Sequence, residues 1–127
     1  MPDQARNLIN IMVESEYLAD QSDAEGNRWV FAYHVSITNA GDQPAKLLTR
    51  HWVITDGEER VQEVHGEGVI GEQPRIMPGQ TYEYSSGAIL ETSVGSMHGS
   101  YQMTNEAGEQ FDAEIAPFSL SEPYAIN

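Results

Sequence analysis

The 127-residue chain contains no cysteine and only one lysine, Lys46. Without cysteine it can form no disulfide bond, no thiolate zinc site and no thiol nucleophile. Lysine and arginine together number 6 against 20 aspartate and glutamate residues, which gives a formal net charge of −14. Such a charge opposes binding to nucleic acid and to anionic membrane surfaces. The expected partners are therefore proteins, cations or neutral ligands, with neither nucleic acid nor membrane among them.

Long apolar runs are also absent. The first apolar stretch, residues 8–13, is interrupted by Asn10, and no later stretch approaches the roughly 18 apolar residues of a spanning helix. The residues after Met1 lack the basic segment that opens a secretory signal. We therefore expect a soluble protein that stays in the cytoplasm.

Alternating apolar residues are the main pattern that is present, and they predict β-strands. The clearest run spans residues 28–39, where every second residue is large and apolar: Trp29, Phe31, Tyr33, Val35 and Ile37. A helix would scatter these residues around its circumference, whereas a strand places them on one face. Weaker alternation recurs around residues 9–17, 82–88 and 111–115. Turn signals such as Asp56-Gly57 and residues 105–108 separate the runs, so the chain reads as a single all-β domain over residues 1–127.

An antiparallel sandwich of the immunoglobulin or fibronectin type III kind is the predicted fold. The segment from Gly99 to Met103 is typical of strand F in that fold, where a tyrosine bonds the upstream backbone through its hydroxyl. Tyr101 would be that tyrosine, and Met103 would fill the buried position two residues on. Residues 47–54 carry apolar side chains on both faces, which predicts either a covered central strand or a bulge near Arg50. Arg50 itself would stack on a ring, pair with a carboxylate or lie at the rim.

A glycine string stands at residues 66–71 and matches the Gly-x-Gly-x-x-Gly motif of dinucleotide-binding turns. A dinucleotide site needs a helix after the string, but Pro74 and Pro78 follow within a few residues. Three roles stay open for this segment. The glycines supply positive φ or close approach where the chain crosses from one sheet to the other, they line a concavity of amides that binds an anion, or the loop presents Val69, Ile70 and Gln73 to a protein partner. The candidate ligand residues are Gly66, Glu67, Gly68, Gly71, Gln73 and Arg75.

Catalytic and metal-binding patterns are weak. Ser85, Ser86 and Ser93 show no convincing histidine and aspartate arrangement, so no catalytic residue is assigned. His51 and His65 would face each other if residues 51–55 and 60–64 form a hairpin, with Glu63 or Glu67 nearby. That arrangement offers a weak divalent-cation site, while independent surface histidines are the plainer interpretation. No cofactor is expected.

Several longer sequence segments together resemble a known protein family more specifically than the glycine string does alone. They are Arg50-His51-Trp52, Gly66-Glu67-Gly68-Val69-Ile70-Gly71-Glu72-Gln73-Pro74, Pro78-Gly79, Tyr84-Ser85-Ser86-Gly87, Gly95-Ser96-Met97-His98-Gly99-Ser100-Tyr101 and Pro117-Phe118-Ser119-Leu120. In this combination, which covers nearly the whole chain, the sequence resembles the bacterial ApaG family. The resemblance implies a β-sandwich and a cytoplasmic protein without an established activity. It also implies links to cobalt resistance and magnesium efflux, and a suggested pyrophosphate or nucleotide site at the glycine string. Related domains fused to F-box proteins and present in a polymerase-interacting protein favour an adaptor role.

We therefore predict a non-enzymatic binding or adaptor module whose partner is a protein. The alternatives are a small anion bound at the glycine string and a divalent cation bound weakly by His51 and His65. Pairing of exposed sheet edges would also permit a homodimer, although the many carboxylates oppose indiscriminate pairing.

Overall fold

The computed structural model describes residues 8–123, and their regular structure is almost entirely strand. The strands are β1 (Ile9–Tyr17), β2 (Trp29–Asn39), β3 (Ala45–Asp56), β4 (Val61–Glu67), β5 (Arg75–Ile76), β6 (Thr81–Leu90), β7 (Val94–Asn105) and β8 (Gln110–Ser121). Two short 3₁₀ turns, Ala19–Gln21 and Ala24–Gly26, connect β1 to β2. Neither turn has the length or apolar character to cross a bilayer, and residues 8–123 contain no other helix.

The strands form two antiparallel sheets. The first sheet has the order β1-β2-β6, and the second has the order β4-β3-β7-β8, with β5 pairing the beginning of β3. The inner faces of both sheets supply one apolar core that includes Phe31, Val35, Ile37, Leu47 and Leu120. The predicted all-β sandwich is therefore confirmed, and the alternation at residues 28–39 does mark a strand whose odd-numbered side chains face this core.

The two long sides of the sandwich differ. On one side β1 lies against β8, and Ser15 Oγ donates a hydrogen bond of 2.8 Å to the Ser119 carbonyl. On the other side the sheets end at β6 and at β4, which are not hydrogen-bonded to each other. We call this second side, bounded by Thr81–Leu90 and Val61–Glu67, the open side.

The irregularity in β3 is the bulge that the sequence offered as one explanation. Pairing with β7 shifts register between Leu47 and Thr49, which leaves Leu48 as the extra residue. Leu47 and Trp52 are consequently both buried although five positions separate them. The bulge lies two residues before Arg50, and it turns Arg50 toward the same side of the sheet as Trp52.

The predicted backbone hydrogen bond of Tyr101 is wrong. Its hydroxyl instead pairs with the hydroxyl of Tyr84 from the opposite sheet. Both rings are buried, and this burial raises the pKa of both tyrosines. A second tyrosine across the core thus replaces the backbone carbonyl as the partner, while Met103 fills the buried position as predicted.

Candidate functional site

The glycine string forms a tight hairpin between β4 and β5. Val69 and Glu72 exchange two backbone hydrogen bonds of 2.8 and 2.9 Å, and Ile70 and Gly71 form the tip. Both tip residues have positive φ, 42° and 82°, as in a type I′ turn. The segment continues into a strand rather than a helix, so it lacks the helix N-terminus on which a dinucleotide turn depends.

Arg50 holds the base of this hairpin. Its Nη1 donates to the carbonyl oxygens of Glu67 at 3.0 Å and Gly68 at 2.9 Å. The guanidinium lies where a side chain at Gly66 would stand, since a Cβ there would come within 2.6 Å of Arg50 Cζ. The sequence predicted that Arg50 stacks on a ring or pairs with a carboxylate. The structure shows instead that its guanidinium donates hydrogen bonds to backbone carbonyls.

The second glycine is required by close backbone approach. A Cβ on Gly68 would lie 2.2 Å from the Glu72 carbonyl oxygen, and Gly68 has a φ of 62°. The N–H of Gly68 donates to the Leu48 carbonyl, and those of Val69 and Glu72 donate to each other's carbonyls. These three amides donate to backbone carbonyls of the hairpin and of β3, whereas an anion-binding nest needs its amides to converge on the ligand. The glycines therefore do supply positive φ and close backbone approach, as the structural role predicts. The predicted crossing from one sheet to the other is wrong, because the hairpin returns to the same sheet, where β4 and β5 both pair with β3.

The other candidate anion ligands do not converge either. Arg75 stands on β5 and pairs with Glu106 at 2.6 Å. Gln73 Nε2 donates to the Leu48 carbonyl, and Glu72 accepts from the Tyr82 hydroxyl at 2.9 Å. Burial together with this carboxylate raises the pKa of Tyr82. The structure thus brings Gly66, Glu67, Gly68, Gly71 and Gln73 into one hairpin but engages the Arg75 cation elsewhere.

The hairpin presents one apolar side chain to solvent. Ile70 is 58% exposed at the tip, while Val69 is 1% exposed and belongs to the core. The expectation that Val69 faces a partner is therefore wrong, because the turn directs it inward. A β-branched residue with positive φ is rare, so Ile70 is a site of local backbone strain at the tip of the hairpin.

His51 and His65 lie directly opposite each other in the β3–β4 register, as the hairpin predicts. Their rings stack with centroids 4.2 Å apart. Glu63 Oε1 accepts from His51 Nε2 at 2.8 Å and lies 3.9 Å from His65 Nε2. One ligand atom from each of the three side chains lies within 4.8 Å of the others, so the cluster could hold a metal ion.

A third histidine, His34 on the first sheet, lies in a row of polar side chains that sequence reasoning missed. His34 Nδ1 lies 2.9 Å from Ser85 Oγ, and His34 Nε2 lies 2.7 Å from Glu83 Oε1. The expectation that Ser85 has no histidine and acid beside it is therefore corrected. Cross-strand pairing of β2 and β6 places His34 opposite Ser85, a relation that requires the register to be known. The side chains of His34 and Glu83 are 42% and 58% exposed, so solvent weakens the charge effects on which a catalytic triad depends.

The open side carries free backbone edges. The Asn39 N–H donates to the Gln80 carbonyl, and hydrogen-bonded pairs recur at every second residue of an antiparallel ladder. Even-numbered residues of β6 therefore bond β2. The N–H and C=O groups that face away from β2 belong to Thr81, Glu83, Ser85, Gly87 and Ile89. No other described strand pairs with this edge.

The edge of β4 is shorter and partly capped. The Gly68 N–H donates to Leu48 and the Asp56 N–H to Arg60, so residues 62, 64 and 66 bond β3. The outward-facing groups belong to Val61, Glu63 and His65, and Arg50 takes the next carbonyl, that of Glu67.

A groove of about 380 Å³ lies between the two edges at one end of the open side. Ile54 and Leu90 contribute its more buried apolar lining, and Val61 and Ile89, both more than half exposed, stand at its rims. Arg60 approaches Glu91 within 3.6 Å at the groove, and at the opposite end of the open side the Tyr82 hydroxyl bonds Glu72. The volume lies within the range of ligand-binding clefts. Sequence reasoning missed this groove because it arises from strands that are distant in the chain.

Comparison with known proteins gives a consistent family. Residues 19–105 match the family model for the ApaG domain. The chain is 53% identical to Protein ApaG of Aromatoleum aromaticum over 100% of both chains. It is 56% identical to Protein ApaG of Ectopseudomonas mendocina over 96% of this chain and 97% of that one. A crystal structure of the ApaA protein from Bordetella pertussis is similar with a TM-score of 0.89 and 49% identity, covering 92% of this chain and 95% of that one.

Proposed function

The chain belongs to the ApaG family, and we propose that it is a non-enzymatic cytoplasmic adaptor that binds a partner protein at its open side. The observation that carries this proposal is the pair of unpaired strand edges with an apolar groove between them. Proteins usually cover or blunt such edges, because free N–H and C=O groups recruit other strands. Here β6 keeps five outward-facing residues and an exposed Ile89. An edge retained beside an apolar groove is typical of a protein-docking surface.

The acidic surface fits a protein partner better than an anionic ligand. A net charge of −14 repels phosphates at long range. Binding of pyrophosphate or a nucleotide would draw on the amides of Gly68, Val69 and Glu72 and on Arg75, and these groups already have protein partners. The links to cobalt resistance and magnesium efflux that the resemblance implies would, on this proposal, act through the docked partner protein.

Site-specific photo-cross-linking in the producing cell tests the adaptor role. A benzoylphenylalanine introduced at Ile89 reports on the open side, and the same probe at Ala116 of β8 is the matched control on the closed side. We expect discrete protein adducts from position 89 and none from position 116. Equal adducts from both positions, or none from either, would remove the proposal.

The absence of enzyme activity has its own test, since Ser85 and His34 form part of a triad-like row. A fluorophosphonate probe labels serines that a histidine activates. We expect labelling of the wild-type protein to be no greater than that of Ser85→Ala. Stoichiometric labelling that Ser85→Ala abolishes would establish a nucleophile and contradict the non-enzymatic role.

Divalent-cation binding is the second candidate function, and the cluster of His51, Glu63 and His65 favours it. Two imidazoles and a carboxylate prefer late first-row ions such as Co²⁺ over Mg²⁺. Metal bonds of about 2.1 Å bring ligand atoms to roughly 3.0–3.4 Å from one another, so small side-chain movements would complete the set. The cluster supplies three ligands and leaves coordination positions for water.

Calorimetry with Co²⁺ tests this site against a matched control. His34 pairs with Glu83 at 2.7 Å much as His51 pairs with Glu63 at 2.8 Å, but without a second histidine. We expect saturable Co²⁺ binding by the wild type and by His34→Ala, and its loss in His65→Ala. Equal binding by both variants would show that the cluster is not the ligand set.

A further inference from the structure

The free backbone groups and the acidic side chains at the exposed edge of β6 indicate what kind of segment binds there. We propose that the occupant is an extended basic segment of the partner protein, which adds to β6 as an antiparallel strand with lysine or arginine at every second position. This inference rests on the proposed adaptor function and names the chemistry of its partner. The favouring observations are the geometry of the free edge, the lining of the groove and the charge around both.

The backbone geometry of β6 determines which residues of the occupant hydrogen-bond to the edge and which point toward the groove. The β6 residues with outward-facing N–H and C=O groups, among them Glu83, Ser85 and Gly87, also direct their side chains away from the core. In a hydrogen-bonded antiparallel pair the opposite residue has its side chain on the same face. Alternate occupant residues therefore bond β6 through the backbone and stand beside Glu83 on the outer face. The intervening residues point inward, over the groove lined by Ile54 and Leu90.

The charge of the surroundings selects a basic sequence. Glu83 is the second of the five outward-facing residues, and Glu72 and Glu91 lie beyond the two ends of the edge. The Glu83 carboxylate already bonds His34 Nε2 at 2.7 Å, but 58% of the side chain is exposed and can meet a second, cationic partner. The arginines of this side are engaged: Arg60 pairs with Asp56 at 2.7 Å, and Arg50 bonds backbone carbonyls. A cationic side chain opposite Glu83 would gain a cross-strand ion pair, and like charges at that position repel. A second copy of this chain would instead bring another net charge of −14 to the same edge.

The β6 edge is favoured over β4 for two reasons. It offers five outward-facing residues, while β4 offers Val61, Glu63 and His65 before Arg50 caps the Glu67 carbonyl. A strand added to β6 also lies across the groove, so its inward side chains would bury the apolar lining that solvent now reaches.

The probe is a blocked nine-residue peptide that alternates lysine and valine, with lysine at both ends. N-methylation of the valines leaves the amides that would face β6 intact, whereas N-methylation of the lysines removes them. We expect the peptide methylated at valine to bind and the peptide methylated at lysine to lose binding. Equal affinity of the two peptides, or the reverse order, would overturn antiparallel strand addition.

Amide hydrogen exchange locates the contact residue by residue. We expect the peptide to slow exchange at Glu83, Ser85, Gly87 and Ile89, while the even-numbered amides, which already bond β2, change little. A free protein that is dimeric, with the odd-numbered amides protected before peptide is added, would overturn the proposal in favour of a second copy.

Charge reversal supplies the matched pair of variants. Glu83→Lys places a like charge opposite the peptide lysine and is expected to weaken binding about tenfold. Glu63→Lys makes the same change on β4 and is expected to weaken binding far less. The reverse ranking would place the peptide on β4 and overturn the assignment to β6. Cross-links from position 89 without peptide binding would leave the adaptor function standing and reject only the strand-addition mode.

Discussion

Substitution of Gly66 by alanine should destabilise the protein through Arg50 alone. The new Cβ would lie 2.6 Å from Cζ and 2.7 Å from both terminal nitrogens of the guanidinium. Ordinary contacts are longer than 3.4 Å, so the guanidinium must retreat by roughly 1 Å, and its bonds to the Glu67 and Gly68 carbonyls lengthen beyond hydrogen-bonding distance. A hydrogen bond to a charged group contributes about 1.5–3 kcal/mol, and these acceptors are partly exposed, so water recovers part of the loss.

The expected net cost of Gly66→Ala is about 2 kcal/mol, after about 0.5 kcal/mol of relief because alanine is favoured over glycine within a strand. In an Arg50→Ala background the guanidinium atoms that the new Cβ would meet are gone, and no hydrogen bond of Arg50 is left to lose. The same substitution should then stabilise the protein by about 0.5 kcal/mol. Urea unfolding monitored by tryptophan fluorescence measures both values. An equal cost in the two backgrounds would refute the assignment of Arg50 as the reason for glycine at position 66.

Further predictions follow from the core and the hairpin tip. Tyr101→Phe leaves the Tyr84 hydroxyl buried without its partner and should lower the free energy of unfolding by about 1–3 kcal/mol, whereas adding Tyr84→Phe should recover most of that loss in the same urea assay. Because burial raises both folded-state pKa values above the unfolded value near 10, stability is fully present below pH 10 and should fall above it by up to about 2.7 kcal/mol per pH unit; an alkaline titration without such a fall would contradict the buried pair. Ile70→Asn relieves a β-branched residue at positive φ and should raise the unfolding free energy by about 1 kcal/mol, and a loss instead would mean that the isoleucine packs on a neighbour.

Local alternation was sufficient to predict the strands and the facing histidines. An apolar residue at every second position of residues 28–39 buries one face only if the segment is a β-strand. Separately, the Asp56-Gly57 turn sets the register of the hairpin and so places His51 opposite His65. Both inferences involve residues that are close in the chain. The sandwich followed from the same alternation and from the segment Gly99 to Met103, and the resemblance to the ApaG family, which the comparisons confirm, agreed with it.

Contacts between strands that are distant in the chain could not be predicted from local alternation. The pairing of Tyr84 with Tyr101 and the groove beside Ile89 each join segments whose relative position depends on the packing of both sheets. The bond of Arg50 to the Gly68 carbonyl lies within one sheet, but it depends on the shape of the hairpin after β4, which the residue pattern left open. The glycine string illustrates the difficulty. Its pattern suggested a phosphate loop, but the neighbouring residues impose a hairpin in which carbonyls, rather than amides, meet a charged group.

Photo-cross-links from position 89, compared with those from position 116, test whether a partner protein docks on the open side. This comparison places the same probe on the open and the closed side of one folded protein in its own cell. The account predicts discrete protein adducts from Ile89 that Glu83→Lys weakens, and none from Ala116. Adducts that ignore Glu83→Lys and arise equally from both positions would contradict a docking surface on the open side.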